Sequence, residues 1–269
     1  MSEHSGSSGP AGPIGFETRN PDFGKGALRR RVRLVAQGDD VLAGVEDAYH
    51  SFRLKLSHDG DRITQLIPRY LRVPLTTCVT ATAPLQRLVG TPLATGWRSL
   101  AASESPLAHC THLYDLTVLA MAHATRGGSR TYDVVVPDEH AGAVWTTLSR
   151  DGELVFRWQT LNSTILAPSE LAGKPLLRGF SRWATRYFSG DDLEAALVLH
   201  KGYFVSRARE WDVEAGADKP VAHHTMMRGA CHSYSEPQIS IAIRQRGMTI
   251  DTSDPHVPLL TDLDESIHS

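Results

Sequence analysis

Alternating apolar and polar residues predict that the first part of the folded chain is β-strand. In "LRRRVRLVA", residues 28–36, the leucines and valines alternate with arginines, so Leu28 and Val32 share one face and Arg29 and Arg31 the other. A period of two is typical of a half-buried strand. The segment "HSFRLKLSHDGDRITQLI", residues 50–67, repeats the alternation around an Asp-Gly pair, which is a common turn signal. This segment is therefore predicted to form a β-hairpin.

Three later segments also have the composition of strands. They are "TYDVVVP" (131–137), "AVWTTLSRDGELVFRWQTL" (143–161) and "QISIAIRQ" (238–245). The second contains another Asp-Gly turn signal, at Asp151 and Gly152. Because the connections are short, we expect mostly antiparallel pairing.

Three helices are predicted between the strands. The segment "ATAPLQRLVG" (81–90) fits a short helix, with its proline in the first turn. A longer helix would start with Ser105 as cap and Pro106 at the first position, and Gly127 would end it. The segment "SGDDLEAALVLHKG" (189–202) has a serine cap, acidic residues in its first turn, and a histidine, a lysine and a glycine at its end, all typical of a helix.

These elements predict an α+β fold, with a mostly antiparallel sheet, a few covering helices and no internal repeat. Residues 1–26 are rich in Gly, Ser and Pro and are predicted to be a disordered leader. Residues 27–251 would form the folded domain, with a seam near residues 127–130 if there are two lobes. Residues 252–269 are predicted to be a flexible tail.

Composition narrows the possible partners and the compartment. The 28 basic and 30 acidic residues nearly cancel, so nothing favours nucleic acid or an anionic membrane. The three cysteines form no C-x-x-C pair, which fits a reducing compartment better than a disulfide framework. The chain shows neither the pattern of a signal peptide nor an apolar stretch of about 20 residues. We therefore expect a cytoplasmic protein.

The motif "HCTHLYDL" (109–116) concentrates candidate catalytic groups, and the chain as a whole contains 13 histidines. Residues three apart on a helix face the same way, so Asp115 is predicted to orient His112 as a general acid or base. His109 could extend this polar stripe. Cys110 near a helix start could be an activated thiol, or it could be a small core residue.

Three more candidates lie upstream. Asp47 and His50 in "VEDAYHSF" are also three apart, although in an extended strand they would lie on opposite faces. Cys78 follows a predicted strand, where free backbone N–H groups can lower a thiol pKa.

Two further alternatives stay open at this point. The segment "VAHHTMMRGACHSY" (221–234) could contribute ligands to a zinc or iron site together with His112. The arginines of residues 29–33 could bind a carboxylate or phosphate, or they could be an ordinary solvated face. The chain lacks G-x-S-x-G, G-x-x-x-x-G-K-[ST], G-x-G-x-x-G and H-E-x-x-H, which weighs against nucleotide hydrolysis and dinucleotide redox chemistry.

Several of these motifs, taken in order, resemble a bacterial family of unknown function. They are D-x-x-H at Asp47 and His50, R-x-P-x-x-x-C ending at Cys78, and C-x-H-L-x-D-L starting at Cys110. The family pattern often has an aromatic residue after the proline and has C-P-G-A from the cysteine onward. This chain differs, with Leu75 after the proline and "CVTA" from Cys78 onward. The resemblance singles out these residues together without implying an activity.

The sequence therefore predicts a cofactor-independent enzyme. It would act on a small aromatic or acyl compound in a catabolic pathway, by hydrolysis, hydration or lyase chemistry. His112, Asp115, Cys110, His50 and Asp47 are the predicted catalytic residues. A non-catalytic ligand-binding or accessory protein and a zinc- or iron-dependent enzyme are the alternatives. The expected partner is a small-molecule substrate, and the formation of a homo-oligomer stays an open alternative.

Overall fold

The computed structural model describes residues 18–265, which form a sheet covered by helices. The strands are β1 (Ala27–Gln37), β2 (Asp40–Glu46), β3 (Ser51–His58), β4 (Ile63–Arg72), β5 (Ser129–Pro137), β6 (Val144–Arg150), β7 (Glu153–Leu161) and β8 (Thr164–Ala167). The α-helices are α1 (Thr82–Leu85), α2 (Trp97–Ser103), α3 (Thr111–Arg126), α4 (Phe180–Tyr187), α5 (Gly190–Ser206), α6 (Gln238–Ile241) and α7 (Thr261–Glu265). The leader predicted for residues 1–26 lies mostly outside the described residues.

All eight strands belong to one antiparallel sheet, in the order β4-β3-β2-β1-β5-β6-β7-β8. The α+β class is therefore confirmed. A four-stranded meander followed by a long helix occurs twice, as β1–β4 with α3 and as β5–β8 with α5. The sequence showed no repeat, so this topological repeat is visible only in the structure. The predicted seam at residues 127–130 joins the two units, but the sheet runs through it by the pairing of β1 with β5.

Both long helices cover the same face of the sheet. Arg30 on β1 pairs with Val134 on β5, and residues opposite each other in an antiparallel pair point to the same face. Arg30 contacts α3 through His112, while Val134 contacts α5 beside Gly202. The apolar core therefore lies between this face and the two helices.

The opposite face of the first meander is covered by the end of the chain. Leu260 and Leu263 are buried and lie beside Gly44 of β2. Arg53 of β3 forms an ion pair with Asp262. Residues 252–263, which were predicted to be part of a flexible tail, instead pack on the sheet, because Leu260 and Leu263 fill the space beside Gly44 and Asp262 pairs with Arg53.

Three predicted elements differ from those observed. The long helix starts at Thr111 instead of Pro106, after a separate 3₁₀ turn at Pro106–Ala108. The predicted strand at residues 238–245 is instead the short helix α6. Gly202 does not end α5, which continues to Ser206. The hairpins at residues 51–72 and 144–161 are confirmed.

Among the described residues, none of the helices combines the length and the apolar character needed to cross a bilayer.

Candidate functional site

A cavity of about 270 Å³ lies where the turn between β2 and β3 meets the start of α3 and the end of α5. Residues 74–78, 226–234 and Arg244 complete its wall. The side chains that can carry chemistry in this wall are His50, His112, Cys78, Cys110, Cys231, Tyr49, Tyr234, Arg207 and Arg244. Most of the remaining lining residues are apolar. The cavity thus brings together the two predicted histidines and all three cysteines, which are far apart in the sequence.

Asp47 holds His50 at one end of this cavity. The two residues flank a tight turn in which the backbone N–H of Asp47 donates to the carbonyl of His50. The turn places the His50 Nδ1 atom 3.0 Å from Asp47 Oδ1. Oδ1 also accepts the backbone N–H groups of Tyr49 and His50. In an extended strand Asp47 and His50 would lie on opposite faces, whereas the turn brings their side chains together.

Arg30 holds the second histidine. Its guanidinium forms an ion pair with the fully buried Asp47 and lies 3.2 Å from His112 Nδ1. Arg30 itself is only 3% exposed. Burial acts to raise the pKa of Asp47, but the neighbouring His50 and Arg30 outweigh it and lower that pKa well below its usual range. Asp47 is therefore a carboxylate, and Arg30 connects it to His112.

The hydrogen bonds determine which nitrogen of each ring carries a proton. An arginine can only donate, so His112 Nδ1 accepts from Arg30 and the proton of the neutral ring sits on Nε2. Burial lowers the pKa of His112 well below its usual value, and His50 and Arg30 lower it further. A carboxylate can only accept, so His50 Nδ1 donates to Asp47, and Nε2 of the neutral ring is a base.

The two imidazole rings are close to each other and to the cavity. Their centroids are 4.0 Å apart, and Phe52 stacks against both rings. The Nε2 atoms of His50 and His112 make no hydrogen bond among the described residues, and both rings border the cavity. The pair thus offers one acceptor and one donor to a molecule bound there.

The cysteines differ from the activated thiols considered above. Burial raises the pKa of Cys78 to about 11, and burial also raises the pKa values of Cys110 and Cys231. Cys110 precedes α3, and backbone N–H groups of that helix lower its pKa, but burial has the larger effect. The three thiols are therefore protonated near neutral pH and act as apolar wall.

Asp115 does not orient His112, so that predicted pairing is wrong. Its carboxylate lies 2.9 Å from Lys201 Nζ on α5. His109 is also not part of a stripe, since it precedes α3 and its Nε2 lies 2.8 Å from Glu104. His109, His112 and Asp115 thus contact Glu104, Arg30 and Lys201, respectively. Their three-residue spacing could not predict these partners, because it describes positions along one helix only.

The segment of residues 221–234, which was considered as a source of metal ligands, contributes residues to the cavity wall. Cys231 and Tyr234 line the cavity, whereas His232 contacts Thr80 and His223 is exposed. Within residues 18–265, no group of three His, Cys, Asp or Glu side chains is arranged to hold a metal ion.

Arg30 beside the histidines and Arg244 in the cavity wall were not predicted as individual site residues, although Arg30 had a readable signal. In the period-two pattern of β1, Arg30 falls with Leu28 and Val32 on the inward face, so a charge at that position marks a buried ion pair. Arg244 had no such signal, because it lies in an irregular segment that was predicted to be a strand.

Comparison with known sequences finds a family model that matches part of the chain. Residues 31–126 match the family described as protein of unknown function (DUF2889). The expected resemblance to an uncharacterised family is therefore confirmed for this segment, which contains His50 and His112 but neither Tyr234 nor Arg244. No curated protein matches the chain.

Proposed function

We propose that the protein is an enzyme that performs acid–base chemistry on a small, largely apolar compound containing a carbonyl group. One observation carries this proposal: two histidines that line the same cavity are each held at Nδ1 by a different buried partner, and their Nε2 atoms make no hydrogen bond among the described residues. Such fixed, paired groups are typical of catalytic sites.

His50 is the proposed general base. Asp47 fixes the ring through Nδ1 and would stabilise the imidazolium that forms when Nε2 takes a proton. The proton would come from a carbon next to the substrate carbonyl, or from a water molecule that attacks the substrate. Elimination by a lyase uses the first source, and hydration and hydrolysis use the second.

His112 is the proposed donor to the carbonyl oxygen. Burial is the main cause that lowers its pKa, the hydrogen bond from Arg30 leaves its proton on Nε2, and a neutral imidazole N–H can polarise a carbonyl. This assignment moves the base from His112 to His50 and replaces Asp115 by Asp47. Cys110 and Cys78 would contribute shape rather than nucleophilic attack, because their thiols are protonated.

Proton transfer in D₂O tests the proposal. The purified protein is incubated with 4-phenyl-2-butanone and related small ketones, and α-deuterium incorporation is followed by mass spectrometry. Hydrolysis of 4-nitrophenyl acetate and hydration of 4-phenyl-3-buten-2-one are measured in parallel. The wild type is expected to catalyse at least one of these reactions, and His50→Gln should reduce that rate about 100-fold or more, since general bases contribute on that order.

His58→Gln is the matched control, because His58 lies at the far end of β3, the strand that follows His50, and outside the cavity wall. It should retain the wild-type rate, and both variants should keep the wild-type melting temperature to within a few degrees. Absence of all three reactions in the wild type, or full activity in His50→Gln, contradicts the proposal. The first result would favour a ligand-binding protein. Loss of wild-type activity on treatment with a chelator would favour the metal-dependent alternative.

A further inference from the structure

We infer that the molecule bound in this cavity is a small monocarboxylate, whose carboxylate contacts Arg244 and Tyr234 while its apolar body extends toward the two histidines. This inference rests on the proposed function for the reactive end of the cavity. It adds the chemical class of the substrate and the residues that recognise it.

The charge of the wall favours an anion. Among residues 18–265, those that line the cavity include Arg207 and Arg244 but no aspartate or glutamate. Because attraction between opposite charges is stronger in a poorly hydrated cavity than in water, even one guanidinium in such a wall selects an anionic group.

Arg244 and Tyr234 form a pair with the geometry of a carboxylate site. Arg244 Nη2 donates to Tyr234 Oη at 3.2 Å. Since the hydroxyl oxygen accepts this bond, its own hydrogen can be donated to a ligand. Both residues are more than 90% buried and both line the cavity. A bound carboxylate would thus receive one hydrogen bond from a guanidinium and one from a phenol.

The backbone around Arg244 holds this anchor in place. Arg244 forms a β-bridge with Leu75, another wall residue, and its backbone N–H and carbonyl bond to Lys219 and Asp218. Its side chain passes Gly216, where a Cβ would come within 3.4 Å of Arg244 Cδ. Arg244 is therefore held by two separate segments, one at Leu75 and one at residues 216–219, in addition to its contact with Tyr234.

Arg207 is a weaker candidate for the anchor. Its guanidinium already forms ion pairs with Glu139 and Glu210, and its side chain is 36% exposed. Arg244 is only 4% exposed, and a guanidinium has five N–H donors, so a carboxylate can add to the contacts that Arg244 already makes. Because charge attraction is stronger away from water, the buried Arg244 is the better site.

The remaining wall sets the size and character of the ligand. A volume of about 270 Å³ lies just below the range of about 300–1,000 Å³ that is usual for ligand pockets. Phe52, Phe204, Trp211 and Met227 add apolar surface. A single ring or a short alkyl chain fits this description.

Calorimetric binding of acid and amide pairs tests the inference. The probes are benzoate and benzamide, phenylacetate and phenylacetamide, and hexanoate and hexanamide, which differ within a pair mainly in charge. The wild type should bind at least one acid roughly 10- to 100-fold more tightly than its amide, as expected for hydrogen bonds to a charged group. Equal affinity within every pair, or no binding of any acid, overturns the inference.

Variants locate the carboxylate. Arg244→Met should abolish the tighter binding of the acid, and Arg244→Lys should retain part of it. Tyr234→Phe should weaken binding of the acid more than binding of the amide. Arg246→Met is the matched control, because Arg246 is 70% exposed and pairs with Asp218. It should bind as the wild type does. An undiminished preference for the acid in both folded Arg244→Lys and folded Tyr234→Phe overturns the assignment of the anchor.

The two proposals fail in different experiments. His50→Gln removes the proposed base but not the anchor, so it should still prefer acids over amides. If His50→Gln keeps its turnover, the proposed function fails while acid recognition stands. If acids and amides bind equally while turnover depends on His50, the proposed function stands and the substrate class is wrong.

Discussion

Arg30 connects the two histidines of the candidate site, and its environment determines what the site can do. It neutralises the buried Asp47 and donates to His112. The pKa of Asp47 is lowered by His50 and by Arg30 against the effect of burial, and the pKa of His112 is lowered mainly by burial, with His50 and Arg30 adding to it. The neighbouring arginines of β1 have ordinary partners nearer to solvent, such as Asp133 for Arg31.

Replacement of Arg30 should be much more destabilising than replacement of Arg31. Arg30→Met leaves Asp47 as a buried charge without its cationic partner, which typically costs about 3–5 kcal/mol. Arg31→Met removes an ion pair whose side chains are 31% and 33% exposed, and such pairs contribute about 0–1 kcal/mol. Urea unfolding of both variants measures the two losses in free energy of unfolding, and similar losses would contradict the buried role of Arg30.

Residue types at fixed spacing predicted the candidate histidines but not their partners. The D-x-x-H and C-x-H-L-x-D-L motifs identified His50 and His112, and both line one cavity. The spacing argument paired His112 with Asp115, whereas α5 supplies Lys201 to Asp115 and β1 supplies Arg30 to His112. Partners on other elements cannot be read from a local period.

At the scale of elements, helix α5 shows how packing overrides a local end signal. Gly202 was predicted to stop this helix, but the helix continues for four more residues. The glycine instead allows α5 to approach β5, because a Cβ at this position would lie 2.7 Å from Val134 Cγ1. Close packing, rather than chain termination, explains the missing side chain.

Gly202→Ala should therefore destabilise the protein although alanine favours helix. The gain in helix propensity is about 1 kcal/mol, whereas overpacking a core typically costs about 1–3 kcal/mol. We expect a net loss of stability in thermal or urea unfolding. In a background of Val134→Ala, which removes the clashing methyl group, the same substitution should become neutral or stabilising, and failure of this rescue would contradict the packing explanation.

At the scale of the whole molecule, burial of neutral histidines makes stability depend on pH. Burial is the main cause that lowers the pKa of His112, of His200 to about 3 and of His224 to about 4. In the unfolded chain each ring has a pKa of about 6.5. Below that pH the unfolded chain binds protons that the folded protein does not. The free energy of unfolding is therefore greatest above pH 6.5 and falls as the pH decreases.

His200→Gln should reduce this pH dependence. Between about pH 6 and pH 4 one buried neutral histidine contributes a slope of up to about 1.4 kcal/mol per pH unit, so the variant should lose up to that much of the slope in urea titrations. His256→Gln, at an exposed position, is the control and should keep the wild-type slope because its ring meets solvent when folded and unfolded. An unchanged slope in His200→Gln would contradict the assignment of His200 as a buried neutral ring.

The sequence by itself determined the antiparallel α+β class, the hairpins and the candidate residues His50, His112 and Cys78, because these depend on periods and turn signals within short segments. Only the tertiary structure decided that the strand-and-helix unit occurs twice, that the last leucines cover β2, and that Asp47 and Arg30 hold the two imidazoles. It also brought Arg244 and Tyr234 to the same cavity from the last third of the chain. These features depend on contacts between distant segments, whose free energies arise from burial and charge pairing that no local pattern encodes.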